Sequence, residues 1–195
     1  MVGFPTVFIR LSGCPLRCGY CDTAYAFYGG EKITIPNIIQ QVASYRVNNV
    51  LVTGGEPLAQ PNVHLLLATL CNEGYKVALE TSGALDVSQV DDRVMKVVDL
   101  KTPGSGESHR NLLSNFAHLN AGDQVKFVIC DKSDYIWMKN MLTKHTVLQQ
   151  TEILCSPSHG ELPATQLAEW ILNDRLPVRL QIQLHKYLWG NMPGK

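Results

Sequence analysis

The chain has 195 residues, 45% apolar and 17% charged, with 17 Lys and Arg balanced by 17 Asp and Glu. This fits one ordinary globular domain with its own core and excludes a disordered chain. Zero net charge gives no long-range field for nucleic acid or an anionic membrane, and no apolar run is long enough to span a bilayer. No charged n-region precedes an apolar stretch, so the expectation is a cytoplasmic protein with no signal peptide, nucleic-acid partner or membrane attachment.

In chain order, extended apolar runs alternate with helical patterns. A strand over Thr6–Leu11 leads to a helix over Ile35–Tyr45, with Pro36 at a favoured first-turn position. A strand over Asn49–Thr53 precedes a helix over Asn62–Asn72 that stops near Gly74. Strands over Lys76–Glu80 and Lys96–Leu100 are followed by a helix over Ser108–Leu119. A strand over Val125–Cys130 precedes a helix over Ser133–Lys144, and one over Glu152–Cys155 precedes a helix over Thr165–Leu172. Ser133 and Thr165 are the candidate N-caps. The last run, Val178–Leu184, alternates apolar and polar residues and predicts an edge strand. This alternation predicts an α/β fold on a parallel sheet. Such sheets place binding loops at their carboxyl ends, here after Leu11, Thr53, Glu80, Leu100, Cys130 and Cys155.

Three of the six cysteines, Cys14, Cys18 and Cys21, crowd into a C-x3-C-x2-C loop directly after the first strand. A disulfide framework does not suit a cytoplasmic chain of this size. Three thiolates on one short loop can hold three irons of a cubane cluster and leave the fourth iron open. The alternatives are a zinc site closed by a distant ligand such as Cys155 or His159, thiol redox chemistry, or plain buried thiols. Cys71, Cys130 and Cys155 lie in apolar patterns and read as small core residues.

Four further strand ends carry polar, turn-forming clusters. Gly54-Gly55-Glu56-Pro57 follows the second strand; its glycines let a ligand approach the backbone, and Glu56 can accept from an ammonium group. Glu80-Thr81-Ser82-Gly83, Asp99-Leu100-Lys101-Thr102-Pro103 and Ser156-Pro157-Ser158-His159 close later strands.

The cysteine loop with the Gly-Gly-Glu-Pro turn resembles the radical S-adenosylmethionine superfamily. Arg10-Leu11-Ser12-Gly13-Cys14, Cys21-Asp22-Thr23, Glu80-Thr81-Ser82-Gly83 and Gln183-Leu184-His185-Lys186 narrow the resemblance to the 7-carboxy-7-deazaguanine synthases of the queuosine pathway. It covers the chain from about Gly3 to Gly190. It implies one radical S-adenosylmethionine core domain over residues 1–195, an incomplete TIM-like β/α barrel.

The implied reaction is ring contraction of 6-carboxy-5,6,7,8-tetrahydropterin to 7-carboxy-7-deazaguanine with loss of ammonia. The resemblance places a [4Fe–4S] cluster on Cys14, Cys18 and Cys21, and magnesium on Thr23. It places S-adenosylmethionine against Tyr20, Cys21, Asp22, Gly54, Gly55, Glu56, Gly83, Asp99, Leu100, Lys101, Ser156, Pro157, Ser158 and His159. The pterin falls to Arg10, Thr81 and His185. Arg10 is assigned to its carboxylate, which a guanidinium pairs with bidentately. No general base is assigned, because the cofactor carries the difficult step. A flavodoxin- or ferredoxin-type electron donor and a homodimer are implied as well. The alternatives are a radical enzyme that activates a partner protein, or an inactive, shortened relative acting as a scaffold.

Family members usually begin with an extra strand and a Gln-x-Gly-Glu-Gly loop that touches the pterin. This chain opens on Met1-Val2-Gly3-Phe4-Pro5, which looks like the segment after that loop. Residues upstream of Met1 are expected to supply it; a true truncation with a weakened substrate site is the alternative. The family's terminal carboxylate contact is not mapped onto Lys195.

Overall fold

The computed structural model describes residues 2–190 and 192; Met1, Asn191 and residues 193–195 lie outside the described residues, and the question about Lys195 with them. Seven strands alternate with helices: β1 (Val7–Leu11), α1 (Ile35–Ser44), β2 (Asn49–Gly54), α2 (Val63–Asn72), β3 (Lys76–Thr81) and β4 (Met95–Asp99). They continue as β5 (Gln124–Ile129), α3 (Lys132–Lys144), β6 (Glu152–Pro157), α4 (Ala164–Asp174), β7 (Arg179–Leu180) and α5 (Leu184–Trp189). The strands are all parallel and pair in sequence order, β1 to β7, without closing. This is the incomplete β/α barrel that the alternation predicts.

Helical spacing explains the outer layer. In α1, Ile35, Ile38, Ile39 and Val42 form one stripe, and in α2 Val63, Leu66, Leu67 and Leu70 form another. Both stripes pack on Val50, Val52, Val77, Leu79 and Val98 of the sheet. A second core joins Tyr135, Met138 and Met141 of α3 and Leu167 and Ile171 of α4 to Val125, Phe127, Ile129, Ile153 and Cys155. Successive strand residues face opposite ways, so Arg10, Thr53, Glu80, Asp99 and Lys126 fall on the other face. On the helix side, Lys96 and Asp123 make a fully buried ion pair at 3.0 Å.

Four expectations are corrected. Residues 108–119 form two short 3₁₀ turns, Ser108–Arg110 and Leu113–His118, rather than a helix. Side chains divert the chain there: Asn111 bonds both the N–H and the carbonyl of Lys101, and Asn115 bonds the carbonyls of Gly83 and Leu85 and the N–H of Val87. The last strand is only Arg179–Leu180, and the chain turns into α5 at Leu184, so His185 lies on a helix. Past Leu180 the ladder keeps only the Gln181 N–H bond to the Cys155 carbonyl at 3.0 Å, so the alternating period outlasts the strand. The N-cap of α3 is Asp131, whose carboxylate accepts the N–H groups of Ser133 and Asp134. Pro163, not Thr165, precedes the first residue of α4. Among the described residues no helix is long and apolar enough to cross a membrane.

Candidate functional site

The cysteine loop leaves β1 and is tied down along its length. Gly13 N–H donates to the Ala26 carbonyl at 2.7 Å, Cys21 N–H to Cys18 at 3.1 Å, and Gly19 N–H to Ser105 at 3.0 Å. Cys14, Cys18 and Cys21 are free thiols, each partly exposed. Burial pushes the Cys14 and Cys18 thiols up from their ordinary range; the Leu16 N–H opposes this at Cys14, and Lys101 opposes it at Cys18.

The turn after β2 packs against the start of that loop. Gly55 N–H donates to the Leu11 carbonyl at 3.0 Å and Glu56 N–H to the Gly13 carbonyl at 2.7 Å. A Cβ on Gly55 would lie 2.2 Å from the Gly13 oxygen, so only glycine permits this approach. Glu56 is fully buried. Its carboxylate accepts from Leu58 N–H at 2.9 Å, the Thr81 hydroxyl at 2.9 Å and Ser82 N–H at 2.7 Å. It therefore organises the ends of β2 and β3. Thr81 is buried with it, 1% exposed. Gly83 turns away at φ +73°, a conformation that favours glycine.

Beside the cysteines, on the face opposite the helices, runs a line of charges. Lys101 Nζ pairs with Asp99 Oδ2 at 2.8 Å, and Lys126 Nζ with Glu80 Oε1 at 2.6 Å. Burial alone would lower the Lys101 ammonium, but Asp99, Cys18 and Glu80 together outweigh it and the direction is up; Glu80 and Asp99 together do the same for Lys126. Lys126, in turn, holds Glu80 below its ordinary range. The Lys101 ammonium lies 5.8 Å from the Tyr20 ring centre. Asp99 Oδ1 and the Tyr20 hydroxyl are buried without a hydrogen-bond partner, and burial raises the Tyr20 pKa strongly. Such orphaned atoms are rare in native folds and suit an edge that meets a polar ligand.

The remaining sequence candidates are placed as follows. Arg10 is exposed and donates to the Gly54 carbonyl at 3.4 Å. The Thr23 hydroxyl donates to Asp22 Oδ1 at 2.8 Å, which leaves the Thr23 oxygen lone pairs free. Asp22 also accepts from Gln183 and faces Lys186 at 3.6 Å, which docks α5 onto the cysteine loop. Burial alone would raise the Asp22 carboxyl, but the bonds from Thr23 and Gln183 outweigh it and hold it low. His185 is partly buried, with Asp22, Lys186, Arg10 and His159 as its ionisable neighbours; burial lowers its pKa. The Leu100 side chain is buried in the second core, so only its backbone can meet a ligand. Ser156 and Ser158 are buried, Pro157 is partly buried and His159 is exposed.

Sequence reasoning missed Arg17, Glu107, Lys126 and Lys186. Lys126 carried a readable signal, a lone charge at alternate register in an apolar strand. Arg17 and Glu107 carried none, since their partners are distant in sequence.

The donor set fits an iron–sulfur cluster. The three partly exposed thiols share one loop, and glycine lets the neighbouring turn close on it. A cubane gives each of three thiolates its own iron; among the described residues no group of three or more His, Cys, Asp or Glu side chains could hold a single metal ion. Cys155 cannot close a zinc site here. It is fully buried in the second core, its sulfur 3.6 Å from Met138 Sδ.

Residues 8–101 match the Radical SAM superfamily. The chain is 44% identical to the 7-carboxy-7-deazaguanine synthase of Chlorobaculum tepidum, over 96% of this chain and 87% of that protein. It is 36% identical to the synthase of Koribacter versatilis, over 96% and 89%. Among solved structures, Streptococcus suis SuiB bound to S-adenosylmethionine superposes with a TM-score of 0.65 at 16% identity. SuiB bound to its precursor peptide SuiA gives 0.66 at 15%. This chain spans about half the length of SuiB, and at that identity the likeness is one of fold. With this identity over nearly its full length, the chain belongs to the 7-carboxy-7-deazaguanine synthase family of the radical SAM superfamily.

Proposed function

We propose that the chain catalyses the ring contraction of 6-carboxy-5,6,7,8-tetrahydropterin to 7-carboxy-7-deazaguanine with loss of ammonia. The observation that carries this reading is the juxtaposition, at one sheet edge, of a three-cysteine loop and a line of charged side chains in a chain 44% identical to a synthase. Cys14, Cys18 and Cys21 would hold a [4Fe–4S] cluster. When bound, the cluster and S-adenosylmethionine supply the one-electron chemistry that starts the reaction.

The chain's own residues position, charge and shield. Arg10 presents a guanidinium suited to bidentate pairing with the pterin carboxylate. The backbone of Gly54, Gly55, Gly83 and Leu100 faces S-adenosylmethionine, with Tyr20, Asp22, Asp99, Lys101 and residues 156–159 around it. Glu56 acts from below by fixing the two turns. Thr23 offers a neutral oxygen for magnesium, a hard cation that accepts such a ligand alongside substrate oxygens and water. Thr81 and His185 border the pterin side. An external flavodoxin- or ferredoxin-type donor, a homodimer and a cytoplasmic location complete the proposal.

Two substitutions test these roles. Arg10→Lys keeps the charge but loses the fork, and should raise KM for the pterin by about 10- to 100-fold. Thr23→Ala should raise the magnesium concentration needed for half-maximal turnover while leaving iron content unchanged. An unaltered KM, or an unaltered magnesium response, would remove the corresponding assignment.

A further inference from the structure

Arg17 lies between the first two cysteines and is exposed, yet its side chain folds back over the loop. Nη1 donates to the carbonyl of Cys14 at 2.8 Å and to that of Leu16 at 2.7 Å. Nη2 donates to the Tyr28 hydroxyl at 2.9 Å. The guanidinium carbon sits 4.3 Å from the Phe27 ring centre and 5.5 Å from that of Tyr28. The Arg17 backbone N–H donates to Glu107 Oε1 at 2.6 Å, and the neighbouring Gly19 N–H to Ser105. The loop is thus held on one side by the aromatic pair and on the other by the chain after β4.

We propose that Arg17 is a positioning residue that holds the Cys14–Cys21 loop in its cluster-binding shape, a reading that rests on the cluster assignment above. A loop with three thiols can adopt many shapes, and each anchor removes some before iron arrives. A planar guanidinium can serve three acceptors and stack on a ring at once; an ammonium cannot. Its charge also lies beside a segment that must carry three thiolates. Groups that orient metal ligands typically change metal retention 10- to 100-fold when removed.

The test loads wild-type, Arg17→Ala, Arg17→Lys and Glu107→Ala proteins with iron and sulfide under anaerobic conditions. Loss of the cluster's visible absorbance in excess chelator is then timed. Thermal midpoints of the metal-free proteins check folding. Arg17→Ala should bleach about tenfold faster than wild type. Arg17→Lys should lie between them, with metal-free stability close to wild type throughout. Glu107→Ala removes the acceptor of the Arg17 N–H together with a negative charge near Cys18; it tests the second anchor and should also bleach faster, while Arg17→Lys serves if Arg17→Ala does not fold. Equal bleaching in wild type and Arg17→Ala would overturn the proposal. Arg17→Lys bleaching at the wild-type rate would overturn the argument from the planar fork. A wild-type protein that takes up no iron would instead overturn the cluster assignment.

Discussion

The Glu56 carboxylate accepts the Thr81 hydroxyl at 2.9 Å and so joins the end of β2 to the end of β3. The same carboxylate takes Ser82 N–H on its other oxygen. Glu56→Gln puts an amide donor where one of those donors now points, inside a site closed to water. The expected cost is about 1–3 kcal/mol of unfolding free energy, the desolvation penalty of an unpaired buried group. Urea denaturation of the metal-free protein measures it, and wild-type stability would show that the carboxylate is not the junction described.

Gly55 tests the close approach of the two turns. In Gly55→Ala the new methyl meets the Gly13 carbonyl and the Cys14 Cβ, both part of the cysteine loop. Neither neighbour is the far end of a flexible chain, so the loop must shift. Reconstituted Gly55→Ala should hold well under half the wild-type iron per chain, read by colorimetric iron and visible absorbance. Full iron content would mean that the turn and loop tolerate separation.

The Glu80–Lys126 pair gives a pH dependence. Lys126 holds the Glu80 carboxyl below its ordinary value in the fold. A carboxylate with a lowered folded pKa contributes stability above its unfolded pKa of about 4.3, and loses it as pH falls through the folded value. Glu80→Gln should therefore be less stable than wild type at neutral pH, and the gap should narrow on acidification below about pH 4. Urea midpoints of the two metal-free proteins across that range decide it; a gap independent of pH would assign the effect to packing.

On the helix side, Asp123 accepts the Lys96 ammonium at 3.0 Å, the Lys96 N–H at 2.7 Å and the Asn120 N–H at 2.8 Å. Asp123→Ala leaves a buried ammonium without its partner and should cost about 3–5 kcal/mol. Because this pair lies on the sheet face opposite the charge line, iron uptake by the folded fraction should not change. A loss below about 1 kcal/mol would contradict the buried pairing.

Much of this was legible in the sequence because it rests on local rules. The C-x3-C-x2-C spacing, the Gly-Gly-Glu turn and the strand–helix alternation each act over a few residues, and each recurs in the fold. What escaped depends on partners far apart in the chain. The segment after Ser108 has helical letters, but the Asn111 and Asn115 side chains spend their hydrogen bonds on other backbone. That Glu56 ties the end of β2 to Thr81 and Ser82 after β3 was not legible either, since those partners lie some 25 residues away. Arg17 stands between two cysteines, and only folding brings Tyr28 and Phe27 to it.

The most direct test of the account is product analysis with the iron-loaded wild-type chain. It is incubated anaerobically with 6-carboxy-5,6,7,8-tetrahydropterin, S-adenosylmethionine, magnesium and a reductant, and the mixture is resolved by liquid chromatography with mass detection. The account predicts 7-carboxy-7-deazaguanine from the wild type, and none from chains in which Cys14, Cys18 or Cys21 is replaced by Ala. Absence of that product from a chain that carries its full cluster would contradict it.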